Sequence, residues 1–391
     1  MNVAIIGGGI GGMCAALSLL QRGVNVTVYE QANELKEVGA GLRVTPNASR
    51  ILRRMGLGEI LHQSAIQTTE LLYYRWEDGR VLAQQVLGNS IEIKFGAPYY
   101  HIHRAALHQL ISDAVPREHI KLDQKCVRIE PMGDALGVHF ANGDVAQANV
   151  VIGADGIHSV VRKQLHGEDR PRFSGDVAYR GLIPATRLAE WTRAPTQKIW
   201  VGPNSHFVQT YAGPDYINFI ALVPGVADRE SWSREGSLSE LAEKFHGWDE
   251  RIHELLANTD RVMCWPLYDR DPLPQWTVGH VTLLGDAAHP MLPYLGQGAA
   301  QAIEDAALIG KCLAGVTPQE VPTALAVYER LRRTRTAHIQ LGARSEGNIY
   351  HLPDGQEQRK RDAAFQEMTG ANASRDEWLF AYDVLAEPQP Q

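Results

Sequence analysis

The sequence predicts an α/β protein: a doubly wound parallel-sheet domain, interrupted by an antiparallel sheet and closed by C-terminal helices. Three observations predict it. A short apolar run, a glycine cluster, an apolar helix pattern and a β-branched run follow one another within residues 2–30. From about 171 to 280 the pattern changes to alternating stretches such as HFVQTY and YINFIALV, separated by Pro203, Pro214 and Pro224. At HVTLLGDAAHP the buried-strand style returns, and two long helical patterns follow at about 297–313 and 319–345.

Composition agrees with a large folded chain. Its 391 residues are 44% hydrophobic and 21% charged, enough to bury a core of more than one domain. The net charge of −7, with no long single-sign run, argues against a nucleic-acid partner. Cys14, Cys126, Cys264 and Cys312 show no CxxC spacing, so they read as buried thiols in a reducing compartment. Residues 1–21 carry no charge, but they lack a basic start and are broken by glycines. The expectation is a cytoplasmic protein with no membrane segment and a mature N-terminus.

In chain order, NVAII (2–6) forms a strand, a helix runs over 10–22 to Gly23, and VNVTVYE (24–30) is a parallel strand. Asn47 reads as the N-cap of ASRILRRM, with Gly56 past its end. Residues 66–100 read as strands with polar turns, and a helix spans Arg104 to Val115 before Pro116. Residues 119–152 read as short strands with a hairpin at Asn142-Gly143-Asp144, ending in the doubly apolar NVVIG. The tail 350–391 is polar with a helical middle and loose last residues, EPQPQ.

Gly7, Gly9 and Gly12 form GxGxxG between the first strand and its helix. Gly7 serves the tight turn, Gly9 the approach of a pyrophosphate, and Gly12 the close packing of helix on strand. The helix start offers free N–H groups to phosphate. Glu30 ends the second strand 18 residues after Gly12, placed to accept from adenosine ribose hydroxyls. This predicts a dinucleotide site without separating NAD from FAD. Two more segments follow apolar strands and open helices: Asp155-Gly156-Ile157-His158-Ser159-Val160-Val161-Arg162, and Gly285-Asp286-Ala287-Ala288-His289-Pro290 continuing through Pro293, Gly296, Gln297 and Gly298. The second supplies an acid for a polyol and a helix start for negative charge, the two needs of a ribityl chain and a reduced flavin.

Taken together, these three ordered motifs resemble the class A FAD-dependent aromatic hydroxylases, in the branch of salicylate hydroxylase and 6-hydroxynicotinate 3-monooxygenase, and the resemblance covers essentially the whole length. It implies a Rossmann-like FAD-binding domain made of 1–70, 100–170 and 280–345, a substrate-binding sheet domain made of 71–99 and 171–279, and a C-terminal helical tail, 346–391. It implies FAD as cofactor, NADH (or NADPH) as co-substrate docking transiently, and a monomer or homodimer. Asp286 would hold the ribityl hydroxyls, and backbone N–H groups from Leu295 to Gly298 would face the flavin. Arg104 would contact the FAD phosphate and ribose region, and Asp155 would serve FAD and the nicotinamide donor. For Asp155 to Arg162 a capped helix with a local ion pair is the competing reading. Pro293 and Tyr294 would line the turn above the ring and contact substrate, or Tyr294 would be a plain aromatic wall, and His289 would shape the backbone rather than transfer protons.

The implied reaction is hydroxylation of a small hydroxylated aromatic acid through a flavin C4a-hydroperoxide; another flavoenzyme on the same fold, such as a polycyclic-metabolite monooxygenase, oxidase or reductase, is the alternative. A plain nicotinamide dehydrogenase would not need GDAAHP, and a non-enzymatic binding protein would not need intact flavin loops. An electron-rich ring calls for a base, and His206 in SHFVQTY is the candidate, against a merely packed histidine. Tyr211 is a second catalytic and substrate-binding candidate, although strand alternation puts it opposite His206 unless a bulge intervenes. Arg43, in GAGLRVTPN (39–47), would bind a substrate carboxylate, steady the flavin, or be a surface residue. His101, His103 and His108 give HxHx4H across a strand–helix boundary, which is not read as a metal site.

Overall fold

The computed structural model describes residues 1–35, 41–192, 194–227, 234–367 and 377–386. Its first layer is a five-stranded parallel sheet with the spatial order Val281–Leu283, Val150–Gly153, Asn2–Ile6, Asn25–Tyr29 and Ile120–Lys121. The central strands are apolar on both faces because helices cover one side and further chain the other. The helix Ile10–Leu20 crosses over from the first strand to the second and packs on the helix Gly298–Leu313. That contact requires small residues. A Cβ on Gly310 would lie 2.1 Å from Ser18 Oγ, and one on Gly11 would lie 3.1 Å from Ala302 Cβ.

The second layer is an eight-stranded sheet. Its order is Arg234–Gly236, Val262–Asp269, Arg172–Pro184, Tyr216–Pro224, Ser205–Tyr211, Thr196–Gly202, Glu70–Arg75 and Val81–Val86. Neighbours are antiparallel except for Thr196–Gly202, which runs parallel to Glu70–Arg75. One face packs through Trp200, Phe207 and Phe219 onto the helices Leu238–Lys244 and Glu250–Ala257. The other face looks toward the parallel-sheet domain.

Several local expectations need correction. The strand region 66–100 also holds a helix, Gly88–Phe95, ended by Gly96 at φ +71°. The two helices beneath the large sheet fall inside the stretch read as sheet alone. Asn47 is not an N-cap. Thr45 takes that position, Pro46 opens the helix Pro46–Arg54, and the Asn47 amide turns inward to Glu304 Oε1 at 2.6 Å. The last long helix continues to Tyr350. The hairpin at Asn142–Asp144 forms, with Gly143 at φ +91°. The EPQPQ end and Gly39-Ala40 lie outside the described residues.

All four cysteines are buried and free. No helix among the described residues is long and apolar enough to cross a membrane.

Candidate active site

A single cavity of about 350 Å³ lies between the parallel-sheet domain and the large sheet. All three glycine turns reach it, through Gly9 and Gly11, Ala154 and Gly156, and Gly285, Asp286, Gly296 and Gly298.

The turns are built against each other. Gly7 sits at φ +107°, and a Cβ there would lie 2.4 Å from Ala154 O, so only glycine lets the first turn meet the second. A Cβ on Gly12 would lie 2.0 Å from Gly7 O. Gly9 precedes the helix Ile10–Leu20 in extended conformation, leaving the helix start bare toward the cavity. Glu30 stands over this turn, accepting from Gly8 N at 2.7 Å and Ala32 N at 2.9 Å. His108 closes the other side, with Nε2 2.6 Å from Gly8 O. The HxHx4H histidines are thereby split between separate tasks, since buried His101 bonds Thr68 Oγ1 instead.

The second turn is tied to the third by Arg162, which donates to Ala287 O at 3.2 Å and Ala288 O at 3.1 Å. Asp155 accepts from Ser159 Oγ, Val160 N and Val161 N, capping the short helix that carries Arg162. Its neighbours Ala154 and Gly156, not Asp155 itself, line the cavity.

A buried ionic network underpins the third turn. Asp305 Oδ2 accepts from Gly285 N at 3.0 Å and His289 Nε2 at 2.6 Å, while its Oδ1 takes Arg332 Nε at 2.7 Å. Glu304 receives Arg332, Arg335 and Asn47. Burial opposes charge on Asp305, but His289 and Arg332 outweigh it and hold its pKa at about 2. Beyond this base, Asp286 projects into the cavity with its side chain exposed there; loss of bulk water between the cavity walls raises its pKa, against the pull of His289 and Arg104.

Arg43 lies against the Pro293–Gly298 turn. It donates to Tyr294 O at 3.4 Å, and a Cβ on Gly296, at φ +58°, would meet its guanidinium at 2.1 Å. Arg104, Pro293 and Tyr294 also line the cavity.

The sheet supplies the opposite wall. On the strand Ser205–Tyr211, His206, Val208 and Thr210 face the cavity. Pairing with Tyr216–Pro224 runs unbroken from His206↔Leu222 to Tyr211↔Ile217, so no bulge intervenes. Tyr211 is consequently not brought to the cavity; it packs in the apolar layer with Trp200 and Phe207. His206 is only 2% exposed. Burial first, then His351 and Arg43, hold its pKa well below the usual histidine value, so it is neutral at pH 7.

Gln197 and Arg180 are among the polar wall residues that sequence reasoning missed. Gln197 lies on a strand that no motif marks, and accepts from the Tyr99 hydroxyl at 3.2 Å. Arg180 stacks on Trp265 with its guanidinium carbon 4.1 Å from the ring centre. No carboxylate pairs with it among the described residues, and burial, then Arg104, lowers its pKa to about 9. An alternation count outward from Gly181 would have placed its side chain on one face, but not told which.

The residues present fit a flavin dinucleotide: glycine-lined helix starts for a diphosphate and an acid beside them for a polyol. Residues 135–341 match the model of an FAD binding domain, and residues 2–82 that of an FAD dependent oxidoreductase. The chain is 40% identical to a 3-amino-4-hydroxybenzoate 2-monooxygenase of Streptomyces platensis, over 98% of this chain and 96% of that protein. It is 36% identical to the 6-hydroxynicotinate 3-monooxygenase of Pseudomonas fluorescens, over 99% and 96%. A salicylate hydroxylase solved as a substrate complex superposes with a TM-score of 0.84 at 28% identity, covering 99% of this chain and 96% of that one. With the geometry, these relationships establish that the chain belongs to the FAD-dependent aromatic hydroxylases, flavoprotein monooxygenases of the salicylate hydroxylase and 6-hydroxynicotinate 3-monooxygenase branch.

Proposed function

We propose that this monooxygenase uses NAD(P)H and O2 to hydroxylate a small hydroxylated aromatic acid of the hydroxybenzoate or hydroxynicotinate type. The observation that carries the reading is the one cavity shared by three glycine turns and a sheet wall bearing a buried histidine. FAD held by these residues would supply the redox chemistry that activates O2 at the expense of NAD(P)H.

The chain's own residues do the rest. Glu30 and Arg104 hold the adenosine and phosphate side, and Asp286 holds the ribityl hydroxyls. The N–H groups at Gly296 to Gly298 open the helix Gly298–Leu313 and favour negative charge at the flavin edge. Arg43, already engaged with Tyr294 O, serves the flavin side and braces this turn. His206 accepts the ring hydroxyl proton, for which its neutral form is the competent one. Arg180 offers a counter-charge to the acid group. Ile199, Val208, Ile220 and Leu222 keep the reacting region dry.

A second, open cleft of about 350 Å³ fits the transient nicotinamide donor. His158, Arg162, Lys163, Arg170 and Arg270 surround it. Arg162 and Arg270 share the carboxylate of Asp169 and Lys163 pairs with Glu168, which still leaves four cations against two carboxylates for a diphosphate. The division into an FAD-binding domain (1–70, 100–170, 280–345), a sheet domain (71–99, 171–279) and a tail (346–391) belongs to the same proposal.

The test is a panel of monohydroxylated benzoates, aminohydroxybenzoates and hydroxypyridinecarboxylates with NADH and with NADPH. One-to-one coupling of donor oxidation to hydroxylated product is expected for at least one acid. Donor oxidation giving only H2O2 with every acid would remove this substrate class.

A further inference from the structure

We propose that His351 and Asp176 form the outer half of a proton path beginning at His206, so that the proton of a bound hydroxy-aromatic leaves through two histidines in series. The proposal rests on the reading of His206 as the base.

Nδ1 of His206 lies 2.8 Å from Nε2 of His351. Nδ1 of His351 stands 3.8 Å from Asp176 Oδ2. His206 is 2% exposed, whereas the side chains of His351 and Asp176 retain 12% and 17%. The three groups therefore run from the cavity wall toward partly exposed positions. Two backbone features fix their spacing. His351 directly follows the helix Val321–Tyr350, and its carbonyl accepts from Asn204 N at 3.0 Å, at the turn leading into the His206 strand.

A single histidine here is a poor resting place for a proton, because burial, His351 and Arg43 all oppose positive charge on His206. In series, the charge need not rest there. The substrate O–H bond breaks as N–H forms at His206 Nε2. The Nδ1–H of His206 breaks as N–H forms at His351 Nε2. The imidazolium then lies on His351, where burial lowers the pKa and the Asp176 carboxylate works against that, and gives its Nδ1 proton to water. The reverse sequence returns a proton to the product oxygen and resets both tautomers. Around the pair stand Tyr294, whose hydroxyl donates to the same Asp176 carboxylate, Tyr350, whose ring centre is 5.2 Å from that of His206, and Arg43. His351 and Asp176 act through His206 and are positioning residues.

The experiment uses FAD-loaded enzyme and whichever panel acid gives product. kcat and KM are measured against pH for His351→Gln and Asp176→Asn, and for His351→Ala with and without imidazole. Flavin content serves as the folding control. His351→Gln should lower kcat about tenfold near neutral pH, with KM within about twofold, and the deficit should shrink as pH approaches the ring hydroxyl's own ionisation. Imidazole should restore His351→Ala, and Asp176→Asn should show a smaller loss with the same pH trend. Wild-type kcat in both polar variants, or a pH-independent loss without imidazole rescue, would overturn the relay while leaving the assigned reaction standing. Wild-type enzyme that hydroxylates no panel acid would overturn the assigned reaction and the relay with it.

Discussion

His206 and Tyr211 sit five residues apart on one strand and have unrelated surroundings, one at the cavity and the other in the apolar layer beneath. A period-2 strand forces that outcome. Tyr211→Phe should therefore leave kcat and KM within about twofold of wild type in the coupled assay, whereas His206→Ala should lower kcat by about a hundredfold with flavin retained. Asp286→Ala should weaken FAD binding about tenfold or more, read by flavin fluorescence on dilution, because a polyol loses a charged acceptor. The residues of the glycine turns were legible in the sequence because each turn is local: strand, glycine and helix start follow within a few positions. His351 and Asp176 were not, since 145 residues separate His351 from its partner His206 and neither lies in a motif. Asn47 was misread for a related reason. Its type suits a cap, but its inward amide answers to Glu304, a partner 257 residues away.

Among the elements, the helix Gly298–Leu313 carries the heaviest demands. Its first turn lines the cavity, Gly310 admits the helix Ile10–Leu20, and Glu304 and Asp305 anchor the buried network. Arg332, fully buried on the following helix, pairs with both acids, with Arg335 on Glu304 and His289 on Asp305. Arg332→Ala would take one buried cation from the pair, leaving Glu304 to Arg335 and Asp305 to His289, and should cost about 3 kcal/mol, read as a lowered urea midpoint, with flavin affinity falling in parallel because Asp305 holds Gly285 N. The period of this helix was visible in the sequence, as were the parallel strands. The helices Gly88–Phe95, Leu238–Lys244 and Glu250–Ala257 were not, because one to two turns give too short a window for period 3.6 to stand out from an alternating background.

At the scale of the whole molecule, Asp305, His206 and His101 pull stability in one direction, and they outnumber the raised carboxyls of Asp286 and Asp155, which pull the other way. Asp305, held at about 2, contributes stability that is complete above the unfolded carboxylate value near 4 and is lost as pH falls toward 2. His206 and His101, the latter pushed down to about 3 by burial and Arg43, stay neutral when folded but take protons when unfolded below about pH 6.5. In both cases the unfolded chain binds more protons, so stability should rise with pH from 2 to about 6.5. A denaturation series across that interval should show a monotonic increase in midpoint; a flat profile would contradict the assigned environments.

The parallel seam between Thr196–Gly202 and Glu70–Arg75 has a consequence for synthesis. The hairpin Glu70–Val86 emerges from the ribosome with one edge whose partner is still to be translated. At roughly 5–20 residues per second, that partner follows on the order of ten seconds later. For that interval the nascent chain presents a bare, β-prone edge, the kind of surface on which trigger-type holdases act and on which overproduced chains associate. Slower translation after residue 75 should lengthen the exposure and lower the soluble yield.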